Sequence, residues 1–493
     1  MPRYLKSLLA GVSLVAATIA GQAFSLNGPF ASWQRQEIGY QIGADLAGPM
    51  NLGEEYRWNQ STITYAFDSS FLDYFGTEGV AAVEEAIAIL NGLPAVSTLT
   101  SDLSEFPLDT RRMNFTASAL GLADLKSSAL SALLEQLGVG AAERWVWTLR
   151  ERVVINNIPF YSVIKRNFDP VTLQPSSYVN GTLYTYSILQ TYANPDIYEA
   201  VEAAVDPLAP SVTTVAGFWG VGGGTTDANG SIALNSSGLF YSGLTRDDVG
   251  ALRYIYNSHN YNVETLPTGA ATSTGFSGSG SSNDAFSSPF GGSVAGGEPW
   301  LPVFGAAATN NTAAVGATVG ATTNVTAFVR PLIDTALRAG VDKILLKRVN
   351  YDSLLGTVLS YTNRFTDTYI TNGVSRTQSV MVASAQPDIV FSAGDLGTLQ
   401  EIPVTFSRNI NFVNQDALNG VSALSGPGNI RGGAVLNFSS VGPWWDQVQT
   451  GSSETDGFAG FLWGRFDGST NAPVVFPSGV SIQELERRVL GSR

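Results

Sequence analysis

YRWNQSTITYAFDSSFLDYFGTEGVAAVEEAIAILNGLP, residues 56–94, reads as a strand, a loop and a long amphipathic helix. From 62 to 67 the residues alternate, with Ile63, Tyr65 and Phe67 on one face and Thr62, Thr64 and Ala66 on the other. That two-residue period predicts a strand with one buried face. Thr77 and Glu78 supply a cap and a first-turn carboxylate for the helix that follows. Val80, Val83, Ile87 and Leu90 then recur at helical spacing as one apolar stripe. Asn91-Gly92 and Pro94 end it, because glycine accepts a left-handed C′ conformation and proline cannot continue a helix.

The chain has 493 residues, enough for two or three domains with cores of their own. Its first residues fit a secretory signal: Arg3 and Lys6 form a basic region and residues 8–20 an apolar one. Gly21-Gln22-Ala23 offers small residues for cleavage after Ala23, giving a signal peptide of 1–23. No other stretch is long and apolar enough to span a membrane, so the mature chain is expected to have no span. Cysteine is absent, so an exported chain of this kind is held by core burial or bound ions, not disulfides. Secretion, or residence in a bacterial periplasm or cell surface, is the expected address. Lysine and arginine total 27 against 41 acidic residues, a net charge of −14, and this acidity argues against nucleic acid as a partner.

Residues 124–138, DLKSSALSALLEQLG, form a second helical stretch with Leu125, Leu130, Leu133, Leu134 and Leu137 on one face and Gly138 as C-cap. Residues 144–155 mix charges and aromatics and suit helix or strand. Asn180-Gly181 marks a turn between antiparallel strands, and 198–205 is a short helix candidate. Residues 244–257, LTRDDVGALRYIYN, form the best-capped helix. Thr245 is its N-cap, Asp248 takes the capping-box position, and Leu244 can staple onto Val249. From 266 to 328 glycine, serine, alanine and threonine dominate, which predicts a flexible linker. Beyond it, 331–339 reads as a short helix and 365–383 as a hairpin around Asn372-Gly373. Strands follow at 388–392, 402–406, 434–438 and 474–476, with a last helix at 481–490. The expectation is an α+β domain over 24–265 and a mainly β, sandwich-like domain over 329–493.

Taken in order, residues 56–94, 124–141 and 244–256 resemble the metzincin zinc proteases, the matrixins in particular. The resemblance rests on an RW…ITYAF strand, a long helix, a middle helix ending in Leu-Gly, and the LTRDDVGALRYIY helix, and it covers residues 50–258. In that family a terminal helix beginning Leu-Thr/Ser-x-Asp-Asp closes the catalytic domain, so the resemblance implies a zincin-like mixed sheet with three main helices. The family's middle helix carries His-Glu-x-x-His-x-x-Gly-x-x-His, three imidazoles for zinc and a glutamate to polarise water. Setting Gly138 on the motif's glycine puts Ser131, Glu135 and Ala141 at the histidine positions and Ala132 at the base. The implied domain is therefore degenerate and lacks its metal. With His259 the sole histidine and no cysteine, neither a three-histidine nor a thiolate zinc site can be assembled anywhere in the chain. His259 itself reads as a solvated loop residue.

Other chemistry is equally thin. No Gly-x-Ser-x-Gly elbow, phosphate loop or dinucleotide fingerprint occurs, and the Ser162–Lys165 match to Ser-x-x-Lys has no companion motif. Glu54/Glu55, Glu84/Glu85 and Asp247/Asp248 are carboxylate pairs that glycoside hydrolysis or calcium could use, and Asp227-Ala228-Asn229-Gly230-Ser231 begins like a calcium loop without its distal glutamate. Calcium is the one metal this composition could hold, zinc is not expected, and no cofactor is implied. Trp444, Trp445 and Trp463 are candidates for stacking on a sugar or anchoring a protein partner, with core packing the competing reading. The reading is a non-catalytic secreted or envelope protein serving binding or surface assembly, with an extracellular protein or glycan as partner. The competing expectation is a secreted hydrolase using paired carboxylates, and the fold resemblance alone would imply a residual metallopeptidase-like activity.

Overall fold

In the computed structural model, Thr62–Phe67 lies inside a four-stranded parallel sheet ordered Leu345–Arg348, Thr62–Phe67, Ile389–Ser392, Ala434–Asn437. The structure describes residues 21–28, 48–190, 198–209, 212–216, 237–267, 269–272, 332–355, 357–358, 361–393, 427–438, 462–477, 481 and 483, together with the backbone of short strands at 224–226, 232–234 and 409–412. The architecture is mixed α/β and rich in strand, with four α-helices among the described residues. Thr64 and Ala66 are buried along with Ile63, Tyr65 and Phe67, so the strand has two covered faces where alternation predicts one. An inner parallel strand is normally covered on both sides, which overrides the alternation.

The helix after this strand runs Ser69–Asn91 and begins earlier than Thr77. Asp68 caps it, accepting a 2.9 Å bond from the Phe71 amide. The first turns, read from sequence as a loop, bury Phe71 and Phe75. Gly76 then interrupts the helix at φ 58°, ψ −156°, a conformation only glycine adopts readily, and Thr77 opens the second segment. Val83, Ile87 and Leu90 are buried as the stripe requires, with Val80 at the core's edge. Gly92 closes the helix right-handed, at φ −73°, instead of left-handed. Asn91 finishes the end differently: its carboxamide exchanges two bonds, 2.9 and 2.8 Å, with the backbone of Leu346.

Phe71 and Phe75 are helical because of what lies opposite them. Phe67 stacks on Phe391 at 5.3 Å, Phe71 meets Phe438 edge-on, and Phe75 meets Trp463 and Phe476. Aromatic pairs in these geometries contribute about 0.5–1.5 kcal/mol each beyond their burial. Polar bonds register the same surfaces. Thr64 and Asp388, 324 residues apart, exchange three bonds of 2.8 to 3.0 Å, and the Ser70 hydroxyl accepts from the Ala393 amide.

Sequence reading separates 24–265 from 329–493, yet strands of the two stretches share sheets. Leu462–Arg465 runs parallel to Leu122–Asp124, Gly428–Arg431 runs parallel to Tyr56–Arg57, and Thr335–Ala339 is antiparallel to Tyr261–Thr265. A composition break marks where chain is poor in apolar residues, but it does not say where the strands on either side pair. Within the predicted linker, Ala270–Thr272 is a strand on Val374–Ser384, and residues 273–328 lie outside the described residues.

The middle helix, Leu125–Gln136, carries the Asp124 cap, and Gly138 follows at φ +91°. A side chain at 138 would sit 2.2 Å from the Tyr56 carbonyl oxygen. The terminal helix, Arg246–Tyr256, has the full Thr245/Asp248 capping box. The Asn372-Gly373 hairpin forms between Tyr361–Thr371 and Val374–Ser384, and the Asn180-Gly181 turn forms with both residues at positive φ. Two helix candidates are strands instead. Tyr198–Ala204 pairs along its whole length with Thr182–Gln190, and Thr335–Ala339 sits between Tyr261–Thr265 and Tyr361–Thr371. Five to seven residues cannot hold a helix alone, so a waiting sheet neighbour decides the conformation. The ambiguous 144–155 stretch also becomes a strand, Thr148–Ile155, in a hairpin with Ile158–Ile164.

If the halves share one core, Phe391→Ala destabilises the entire protein by about 3–5 kcal/mol, the usual cost of emptying a buried phenylalanine site. Denaturant melts followed by circular dichroism and by tryptophan fluorescence should shift together. Residues 1–265 expressed alone should give no cooperative melt; a cooperative native-like melt would contradict the shared sheets.

Candidate functional site

Of the positions read as a degenerate zinc motif, Ser131, Ala132 and Glu135 lie on the middle helix and Ala141 lies beyond its end, before the Ala142–Arg144 turn, and every one is buried. Ser131, Ala132, Glu135 and Ala141 are at most 5% exposed. Ser131 donates to the Ala216 carbonyl at 3.1 Å, and Ala141 packs with Trp145, Leu149 and Ala200. Sequence predicts one apolar face on this helix, but Leu125 and every residue from Ser127 to Gln136 are buried, because the Ser69–Asn91 helix, Leu239–Tyr241 and Leu462–Arg465 all contact it. None of these four described positions faces solvent. Among the described residues, no group of three or more His, Cys, Asp or Glu is placed to hold a metal. A small pocket is lined by Leu90, Val96, Leu137, Leu252, Tyr256 and Ile344, with Asp342 and Lys343 beside them.

Trp463 is fully buried, edge-on to Phe438 and Phe75, so its ring is unavailable to an outside ligand. Trp444, Trp445 and the 227–231 loop lie outside the described residues. His259 is exposed beside Asn257, as read. Ser162 is exposed and Lys165 lies over the Trp147 ring, which leaves the Ser-x-x-Lys match without a catalytic arrangement.

The carboxylate pairs part company. Glu84 and Glu85 are half-exposed and paired separately with Arg348 and Arg465. Glu54 accepts from the Asn51 amide, while Glu55 is buried and accepts from Gly53, Asn260 and Asn262. Asp247 and Asp248 lie in the first turn of the terminal helix and are both buried. Asp248 accepts the amides of Val215, Ala216 and Thr245 at 3.0–3.1 Å and the Thr245 hydroxyl at 2.5 Å. Glu143 accepts the amides of Thr213 and Thr214 and both their hydroxyls. Asp247 accepts the amides of Asn180 and Ala23. Asp247 and Asp248 thus tie Ala23, Asn180 and residues 215–216 to the terminal helix, and Glu143 ties Thr213 and Thr214 to the Ala142–Arg144 turn.

The most connected polar feature escaped the sequence reading. Arg57 is fully buried, with Nε 2.5 Å from Glu264 and its Nη atoms donating to the carbonyls of Ile255, Asn260 and Arg338 at 2.9–3.0 Å. Arg338 in turn holds Asp367 with two bonds of 2.9 and 3.1 Å. The signal was available in YRW, YNVET and TALRA: a charge at an inward strand position demands a buried partner. Burial lifts the Glu264 carboxyl to about 7 against the pull of Arg57 and Arg338. Burial also lifts Asp124 and Asp248 to about 6, and Asp247 well above the ordinary carboxylate range.

No family model, no curated protein and no solved structure matches the chain.

Arg57→Met should cost about 3–5 kcal/mol, because it strands Glu264 in the core, while Arg57→Met with Glu264→Leu should recover much of that loss. Chemical denaturation of the two variants checks this. A pH series gives a second test. Asp124, Asp247 and Asp248 have folded pKa values above their unfolded ones, so their contribution is complete below about pH 4 and lost as pH rises through about 6 and beyond. The melting temperature should therefore be higher at pH 5 than at pH 8; the reverse order would show these groups ionised in the native state at little cost.

Proposed function

We propose that this chain is a non-catalytic secreted or cell-envelope protein: a metal-free, metzincin-like frame whose 329–493 region serves binding or surface assembly. The observation that carries the reading is the burial of Ser131, Ala132, Glu135 and Ala141. A metalloprotease needs an open position for metal, water and scissile bond at the middle helix. Here every residue of that helix except Lys126 is buried. Its one carboxylate, Glu135, lies 2% exposed in a core position, where a polarised water would have no route in or out.

The wider polar chemistry supports the same reading. Buried acids elsewhere are bonded to backbone amides, hydroxyls or guanidiniums, as structural staples are. The basic and apolar N-terminal residues favour export, and the acidic, cysteine-free composition suits a soluble-facing envelope protein. No helix among the described residues is long and apolar enough to cross a membrane.

Metal analysis of the purified full chain, with broad protease and glycosidase screens, tests the proposal. Sub-stoichiometric zinc and no turnover are expected, and Glu135→Ala should change the melting temperature without changing any residual hydrolysis. One zinc per chain, or turnover abolished by that variant, would overturn the reading.

A further inference from the structure

The Thr148–Ile155 and Ile158–Ile164 hairpin stands apart from the packing that governs the rest of the molecule. Its root is seated, with Thr148 and Leu149 buried, but every residue from Arg150 to Ile155 and from Ile158 to Ser162 is exposed. At about 3.3 Å per residue, the exposed arm is roughly 20 Å long, with Arg152 and Tyr161 still against the Tyr198 ring and Val153 to Phe160 beyond it. The exposed part is apolar: Val153, Val154, Ile155, Ile158, Phe160 and Tyr161 are 37–58% exposed. Cross-strand partners share a face, so Val153/Phe160 and Ile155/Ile158 lie on one side and Val154/Pro159 and Arg152/Tyr161 on the other. The ribbon thus presents apolar side chains on both faces, and a flat protein partner would cover one of them.

Charge narrows the occupant further. Between Thr148 and Lys165 there are three basic residues, Arg150, Arg152 and Lys165, and one acid, Glu151, in a chain of net charge −14. The ribbon's own charged residues, Arg150, Glu151 and Arg152, carry a net charge of +1, opposite in sign to the chain as a whole. Arg152 lies over the Tyr198 ring, 4.0 Å from its centroid, and Lys165 over Trp147, so two of the cations flank aromatic rings near the ribbon's base. Apolar side chains beside basic and aromatic ones are the pattern of an element that lies in the headgroup layer of an anionic membrane.

We propose that this ribbon is a peripheral membrane-contact element for anionic lipid, lying in the interfacial layer without crossing the bilayer. An interfacial depth of about 5–10 Å matches the thickness of one ribbon, so both faces are covered. The open-edge amides and carbonyls and the Asn156-Asn157 apex keep headgroup and water partners at that depth, which they would lose in hydrocarbon. Apolar contact supplies the affinity and the basic residues select the lipid charge.

Co-sedimentation of the full chain with vesicles of phosphatidylcholine, with and without 30% phosphatidylglycerol, tests this. The expected result is binding that needs phosphatidylglycerol and weakens at least tenfold between 50 and 500 mM salt. Ile155→Ser/Ile158→Ser/Phe160→Ser should abolish binding with an unchanged melting temperature, and Arg150→Ala/Arg152→Ala should weaken it at low salt. No binding by a cooperatively folded protein, or binding that survives the triple substitution, would overturn the proposal. A dimer that dissociates in the triple variant, without vesicle binding, would overturn it in favour of self-docking. None of these outcomes depends on whether the chain is an enzyme.

Discussion

Thr62–Phe67 can only be a central strand if neighbours arrive from far along the chain, and most of the structure follows from that requirement. Its partners are Leu345–Arg348 on one side and Ile389–Ser392 on the other, both parallel. Parallel neighbours cannot come from a tight hairpin, so long connections must be closed before the ladder repays their entropy. The Thr64–Asp388 exchange and the Phe67–Phe391 stack fix the register once the strands meet. The early turns of the Ser69–Asn91 helix exist because Phe71 and Phe75 then find Phe438, Trp463 and Phe476. A chain built this way is expected to fold slowly and as one unit.

The same constraint explains why the middle helix has no open site. With Leu462–Arg465 beside Leu122–Asp124 and the long helix across it, the helix sits where several elements converge. Residues that would face a cleft, Ser131 and Glu135 among them, face protein. Polar groups survive in such a place only when bonded, and the Asp248 and Glu143 frames and the Arg57–Glu264 pair meet that condition. A buried ion pair of this sort contributes little net stability, yet removing one partner is costly, so it acts as a lock on the arrangement of 55–57, 255–264 and 338.

Features carried by neighbouring residues were legible in the sequence. Thr245 and Asp248 announce a capping box, Asn372-Gly373 a hairpin, and Gly138 a helix end, because each rests on bonds within a few residues. Features decided by distant partners were not. Tyr198–Ala204 and Thr335–Ala339 are short segments of weak preference, and their sheet neighbours made them strands. Trp463 could be read as an anchor or as core, and Phe75 and Phe438 around it make it core. The motif positions could be aligned by spacing, but their burial depends on distant partners, the long helix, Leu239–Tyr241 and Leu462–Arg465 around the middle helix and Trp145, Leu149 and Ala200 around Ala141.

The central claim, that the halves of the chain share one parallel sheet, can be read directly because the protein has no native cysteine. Thr62 and Leu345 are register partners, and neither is buried. A Thr62→Cys/Leu345→Cys variant treated with a short bifunctional maleimide should give an intramolecular cross-link joining the two peptides in a tryptic map. Efficient labelling of both cysteines with no cross-link, in a protein that still melts cooperatively, would contradict the shared sheet.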